Sequence, residues 1–242
     1  MAVFLPLSFA HSLPLSFSPT SISGLSLWLD ASDSSTVTGT SSVTKVKDKS
    51  ANNVNLSNAS NFAYPNNTFN GTYPSFYQSS GSPSGNATLG YNASFNLTAP
   101  FTVFAVAQQT NSSTYGYIID AATGSGRDYI YNKGLLSPMG GNAATDLASS
   151  PFQVCVIFSS SGVLYTNGTS QYTGSFTGTT SGTTIGNRYT LNESWPGHIC
   201  EILIYSGAFS TTQQQQIEGY LAWKWGLQGN LPAGHPYKNS RP

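Results

Sequence analysis

Nine acidic side chains serve the whole 242-residue chain: Asp30, Asp33, Asp48, Asp120, Asp128, Asp146, Glu193, Glu201 and Glu218. Glycoside cleavage needs two carboxyl groups facing each other across the scissile bond, and no E-x-D-x-x-E arrangement is present. Glu201 stands alone in an apolar run. Asp30 and Asp33 straddle the end of another, where they suit calcium as oxygen ligands or, the commoner use, an Asx turn. His11, His198 and His235 are scattered, with no Ser/His/Asp signature, no Cys/His dyad and no HExxH helix. His235, inside HPY, predicts a fixing hydrogen bond rather than a metal ligand. Cys155 and Cys200 sit in VCVIF and HICEILIY, where a thiol behaves as a small hydrophobe. Strand burial favours free thiols there; an oxidising compartment would favour a disulfide. No CxxC or Cys/His spacing suggests zinc. ATGSGRDY leads into a strand-like stretch, whereas a phosphate loop opens a helix. The expectation is a protein that is not an enzyme and uses no metal or cofactor.

Binding chemistry is better represented. Sugars are held by aromatic faces and by amide or charged side chains, and Tyr115, Tyr129, Asn187, Arg188, Tyr189 and Trp195 supply those types in loop-like segments. These six are the glycan-binding candidates. Fourteen tyrosines make any such subset easy to assemble, so the candidates need geometry to support them.

Charged residues make up 7% of the chain, nine basic against nine acidic, where a soluble domain usually has about a quarter. No basic run exceeds Lys45, Lys47, Lys49, which excludes nucleic acid as a partner, because phosphate contact needs concentrated positive charge. Ser, Thr, Asn and Gln supply the polar surface instead, and such a surface is weakly repulsive and suits packing against other proteins. With 38% hydrophobic and 13% aromatic residues the chain can still bury enough area to fold. Residues 1–22 are interrupted by Pro6, Pro14 and Pro19 and begin without Lys or Arg, which predicts an extended arm rather than a signal peptide or a membrane span. Residues 23–242 are predicted to form one domain. Ten N-x-[ST] acceptor patterns, concentrated between Asn55 and Asn111, permit glycosylation, although Asn and Ser/Thr abundance explains about half of them.

The elements that would position these groups are short and β-patterned. LSLWLD (25–30), FTVFAVA (101–107), YGYIID (115–120), RDYIY (127–131), FQVCVIF (152–158), TTIGN (183–187) and HICEILIYS (198–206) read as strands separated by turn residues. GVLYTNGTSQYTG (162–174) places Asn167-Gly168 between two strand-like halves, a hairpin signal. Residues 50–100 read as long loops with one or two edge strands. One helix is predicted over 210–226, with Ser210 as N-cap, Gln213 completing a capping box and Gly226 ending it. Ile217, Tyr220, Leu221 and Lys224 share a face that must lie across a sheet, flanked by Trp223 and Trp225, which are predicted to fill the gap beneath. LPAGHPY is then extended by Pro232 and Pro236. The fold class is an all-β antiparallel sandwich with one C-terminal helix.

IEGYLAWKWGLQGNLPAGHPY resembles the end of the concanavalin A-like, laminin G-like jelly-roll domains, in the variant common in large DNA viruses, phages and aquatic bacteria. LSLWLDASD, with Trp28, is similar to that family's opening strand. VTKVKDKSANNVN resembles its DKSG-N turn, LYTNG its central hairpin, and TTIGNR with WPGHICEILIYSGAFS its last strands. The likeness spans about residues 25–238 and leaves out the N-terminal arm. The tryptophan usual in the opening W-x-DKS turn is replaced by Lys45 or Lys47. The resemblance implies a jelly roll in which Trp28, Ser210, Tyr220, Trp223, Trp225, His235 and Pro236 are structural. It also implies a virion protein, a minor capsid or surface component packed among other capsid or assembly proteins through the arm and the sandwich surface. The alternative is an exported glycan-binding module or adhesin, extracellular or at the cell surface.

Overall fold

A computed structural model describes residues 17–79, 87–111, 114–121, 123–124, 130–132, 136–137 and 150–242. The fold is an all-β antiparallel jelly-roll sandwich with one C-terminal helix. Its larger sheet has the order Thr169–Gly174, Gly162–Thr166, Phe152–Phe158, Phe101–Gln109, Gly197–Ser206, Tyr73–Gln78, Ala63–Phe69. Leu25–Asp30 pairs with the far half of Gly197–Ser206, continuing the edge on which Tyr73–Gln78 pairs with the near half. The smaller sheet runs Leu136–Ser137, Ile130–Asn132, Gly116–Asp120, Thr183–Ile185, Gly90–Asn92.

FQVCVIF is buried at every position, and so are nine of the ten residues of GHICEILIYS. Alternation disappears because both faces of the larger sheet are covered, one by the smaller sheet and the other by the helix. Cys155, Phe104 and Leu203 pair across three strands and form the row beneath the helix. Between Ile199 and Glu201 the register shifts by a bulge, and Ala31 N–H donates to the Cys200 carbonyl there at 2.8 Å. The extra residue sets the alternation that puts Glu201 and Leu203 on the helix side. Both cysteines are free and buried.

The helix spans Thr211–Lys224, with Ser210 and Gln213 forming the capping box. Gly226, at φ +71°, takes the left-handed conformation that ends helices. The buried stripe differs from the predicted one. It consists of Gln214, Ile217, Glu218, Gly219, Leu221 and Ala222, continued by Trp225, while Tyr220 and Lys224 lie half-buried at its margin. Two polar residues tolerate this burial because they satisfy each other, Gln214 Nε2 donating to Glu218 Oε1 at 3.1 Å.

Asn167 and Gly168, at φ 49° and 78°, form the predicted hairpin turn. In the region read as loops, Ala63–Phe69 and Tyr73–Gln78 form an edge hairpin and Gly90–Asn92 closes the smaller sheet. The last residues of the predicted arm are held against the sandwich. From Phe17 onward it is packed: Phe17 meets the Tyr220 ring at 6.1 Å, Pro19–Ser21 form a 3-10 turn, and the Pro19 carbonyl accepts from Tyr205 Oη at 3.0 Å. Residues 1–16 lie outside the described residues.

Candidate functional site

The loop 187–196, NRYTLNESWP, leaves the smaller sheet and enters strand Gly197–Ser206, and it gathers four of the six sequence candidates. Its two ends are sealed. Asn187 is fully buried, Nδ2 donating to the Ala87 carbonyl at 2.8 Å and Oδ1 accepting from Glu193 N–H at 3.1 Å. Trp195 is likewise fully buried, its indole N–H shared between the carbonyls of His198 (3.1 Å) and Gln108 (3.3 Å). Neither residue presents a face to a ligand, which corrects the expectation that they touch one. They hold the loop instead.

Between these anchors the loop is braced across itself. Arg188 Nη1 lies 3.2 Å from Glu193 Oε2, and the guanidinium sits 5.7 Å over the Tyr117 ring. Tyr189 N–H donates to Asp120 Oδ2 at 2.8 Å. The braced loop presents Tyr189, 37% exposed, with its ring 5.7 Å from that of Tyr91 at 58°. Desolvation and the neighbouring Tyr189 phenol hold the Tyr91 hydroxyl above its usual range. Tyr115 is 43% exposed just before strand Gly116–Asp120, whose Tyr117 bridges to Ser194 of the loop. Tyr129 lies outside the described residues. Sequence reasoning missed Tyr91, because its short strand was hidden in an Asn- and Ser-rich stretch.

A second polar cluster lies under the helix. Glu201 Oε1 accepts from Trp28 Nε1 (2.8 Å) and Tyr220 Oη (3.0 Å), and Oε2 from Trp225 Nε1 (2.7 Å) and Lys224 Nζ (2.8 Å). Lys224 and Lys49 each lie 2.8 Å from Asp30 Oδ2, and Lys49 reaches Asp33 at 2.9 Å while sitting 4.4 Å over the Trp28 ring. Burial opposes the Asp30 charge, and the two ammonium groups outweigh it, holding its pKa below the usual aspartate range. Burial raises Glu201 above the glutamate range despite Lys224. Asp30 and Asp33 also take the turn roles, accepting from Ser32 N–H at 2.9 Å and Ser35 N–H at 3.2 Å. The DKS residues close this corner. Asp48 accepts from the N–H groups of Trp28, Ser50 and Val54, and Lys49 supplies the ion pairs.

His235 Nε2 lies 3.2 Å from Glu218 Oε2, both side chains nearly sealed. Its Nδ1 accepts from Tyr237 N–H at 3.2 Å, so in the neutral ring the proton sits on Nε2. Trp225 fills the gap between helix and sheet, meeting Phe69 edge-on at 6.2 Å. Trp223 does not share that gap. It is half-buried and pins the tail, donating to the Tyr237 carbonyl at 2.8 Å.

No protein family and no curated protein matches this sequence. Solved structures do match. The binding domain of Paraclostridial Mosquitocidal Protein 1 superposes with a TM-score of 0.52 at 13% identity, over 82% of this chain and 52% of that one. A structure of botulinum neurotoxin type C, whose cell entry is described as dependent upon interaction with two ganglioside molecules, gives 0.50 at 13% identity, over 82% and 51%. A mutant of Trypanosoma rangeli sialidase displaying trans-sialidase activity gives 0.50 at 14%, over 86% and 34%. The chain spans about a third of the sialidase chains and about half of the toxin chains. Identities this low speak for fold, and the fold is a lectin-like β-sandwich.

Proposed function

We propose that the protein is a glycan-binding module without catalysis of its own, working outside the cell or at its surface. The observation that carries this reading is Tyr189, held out to solvent beside Tyr91 by a loop whose ends and middle are all fixed. A rigid aromatic face beside a second phenol stacks on a sugar ring with little ordering cost. The toxin binding domains of the same fold add support, one of them in a protein described as engaging gangliosides. The carboxylates support the absence of catalysis. Every acid among the described residues is already engaged: Glu193 by Arg188, Glu218 by His235, Glu201 and Asp30 by lysines, Asp33 and Asp48 in turns, and Asp120 by the loop backbone.

The virion reading keeps the charge-poor surface and the N-terminal arm in its favour, while the structures compared above are a toxin binding domain, a neurotoxin and a sialidase. A glycan array probed with the full chain and with Tyr189→Ala tests the proposal. Binding lost in the variant at unchanged thermal stability is expected. An array silent for the native chain, together with stoichiometric recovery of the protein from purified virus particles, would replace this reading with the virion one.

A further inference from the structure

We infer an internal hydration site at Gln153: a water molecule held between the larger sheet and the segment that follows the helix, bridging Gln153 to Gln228. Gln153 lies two residues along its strand from Cys155 and so shares the face beneath the helix. Across the sheet it pairs with Val106, which pairs in turn with Glu201. Its main chain is engaged, the N–H donating to Asn167 Oδ1 at 3.0 Å and the carbonyl accepting from Asn167 N–H at 2.9 Å. Its side chain is not. Gln153 is 2% exposed, and neither Oε1 nor Nε2 has a hydrogen-bond partner among the described residues.

A buried primary amide presents both an acceptor and donors, and native interiors rarely leave such groups without partners. Water answers that inventory. It both donates and accepts, and buried waters typically make about three hydrogen bonds to polar groups that lack other partners. A metal ion would satisfy the oxygen and leave the NH2 unpaired, and an apolar guest would satisfy neither. The second wall comes from the segment beyond the helix. Gln228–Asn230 form a 3-10 turn, and Asn230 Nδ2 donates at 3.4 Å to the carbonyl of Pro151, two residues before Gln153. The chain then runs onto the hairpin turn that holds Gln153: a Cβ on Gly168 would lie 3.3 Å from Leu231 Cδ2 and 3.1 Å from Pro232 Cδ. In the 3-10 turn Gln228 Oε1 is likewise buried without a partner. Two amides on touching segments, each lacking a partner and making no direct bond to the other, are the arrangement that a bridging water completes. The tail is then fastened to the sheet partly through solvent taken into the core.

The inference stands apart from the glycan-binding proposal and is tested on the full chain. NMR magnetisation transfer from water, read in the rotating frame where dipolar transfer and proton exchange have opposite signs, should give the Gln153 side-chain NH2 a dipolar cross-peak to water. That measurement needs no variant. Gln153→Met keeps the length and removes both polar atoms; it should lower the urea midpoint at unchanged slope, because it takes away one wall and strands both Gln228 and the water. Gln228→Met should do the same, and the double variant should fall by clearly less than the sum of the two single shifts. A Gln153 amide without the cross-peak, or a higher midpoint in Gln153→Met, would mean a dry, unpaired amide and overturn the site. Additive shifts would overturn the bridge to Gln228.

Discussion

The indole N–H of Trp225 reaches Glu201 Oε2 across 2.7 Å, both side chains sealed from solvent. The contact joins the end of the helix to the middle of the longest strand, and Trp28 joins the same carboxylate from the opening strand, 173 residues away. One acid thus receives hydrogen bonds from three aromatic side chains and a lysine, and the opening strand, the long strand and the helix meet on it.

Glu201→Gln tests this junction. The amide keeps the size but loses the charge, and its NH2 must point at donors. Lys224 keeps Asp30 and is partly hydrated, so the loss should fall at the low end of the range for a broken buried pair, about 3 kcal/mol in urea unfolding. A change no larger than the ~0.5 kcal/mol of an ordinary surface substitution would mean that the junction does not stabilise the fold.

His198 should make stability depend on pH. Burial lowers its pKa from 6.5 to about 4, while Nδ1 lies 2.8 Å from Ser75 Oγ and the ring lies 4.5 Å from that of Tyr77. Between these two values the unfolded chain binds the proton and the folded one does not, so stability falls as pH drops from about 6.5 to about 4. The loss should be on the order of 3 kcal/mol. Urea midpoints measured across that window should fall less steeply in His198→Asn. Equal slopes in the two proteins would assign the dependence to groups other than His198; Asp30 is not one of them, because its lowered pKa puts its own loss at more acidic pH.

Gly219→Ala should destabilise, although alanine is the better helix former by about 1 kcal/mol. A Cβ at this position would lie 2.5 Å from Tyr237 Cβ and 2.7 Å from its ring. The tail beyond Pro236 would have to lift, at a net cost of about 1–3 kcal/mol, and Trp223 would lose its carbonyl partner. Limited proteolysis should show earlier cleavage after residue 231; a more stable variant with an unchanged tail would refute the packing argument.

Cys155 and Cys200 should resist thiol reagents in the native protein. Burial pushes both thiols well above their usual range, Glu218 and Glu201 respectively adding to it, and it is the thiolate that reacts. Two labels per chain should appear only on unfolding. Rapid labelling under native conditions would show that the sheet opens locally.

The strands were legible wherever both faces are covered, because FQVCVIF and HICEILIY are apolar runs broken only by Gln153, His198 and Glu201 and need no partner to be recognised. The same property concealed the role of Glu201, which reads as a lone acid until the bulge at Cys200 turns it toward the helix. Tyr220 and Lys224 looked like the centre of the helix stripe, since hydropathy cannot anticipate that Gln214 and Glu218 are buried as a satisfied pair. Four of the six binding candidates fall in one loop, but aromatic or amide character does not reveal whether a residue faces outward, as Tyr189 does, or anchors the loop, as Trp195 and Asn187 do.

What the sequence determined by itself is local: the capping box at Ser210, the left-handed turn at Asn167-Gly168, the apolar strands and the helix stop at Gly226. Each follows from interactions within a few residues. The tertiary structure decided which acids meet lysines, which tryptophan is sealed under the helix and which tyrosines are left exposed. Those outcomes depend on strand register and on the placing of a single bulge, and one residue of slip moves every side chain to the other face.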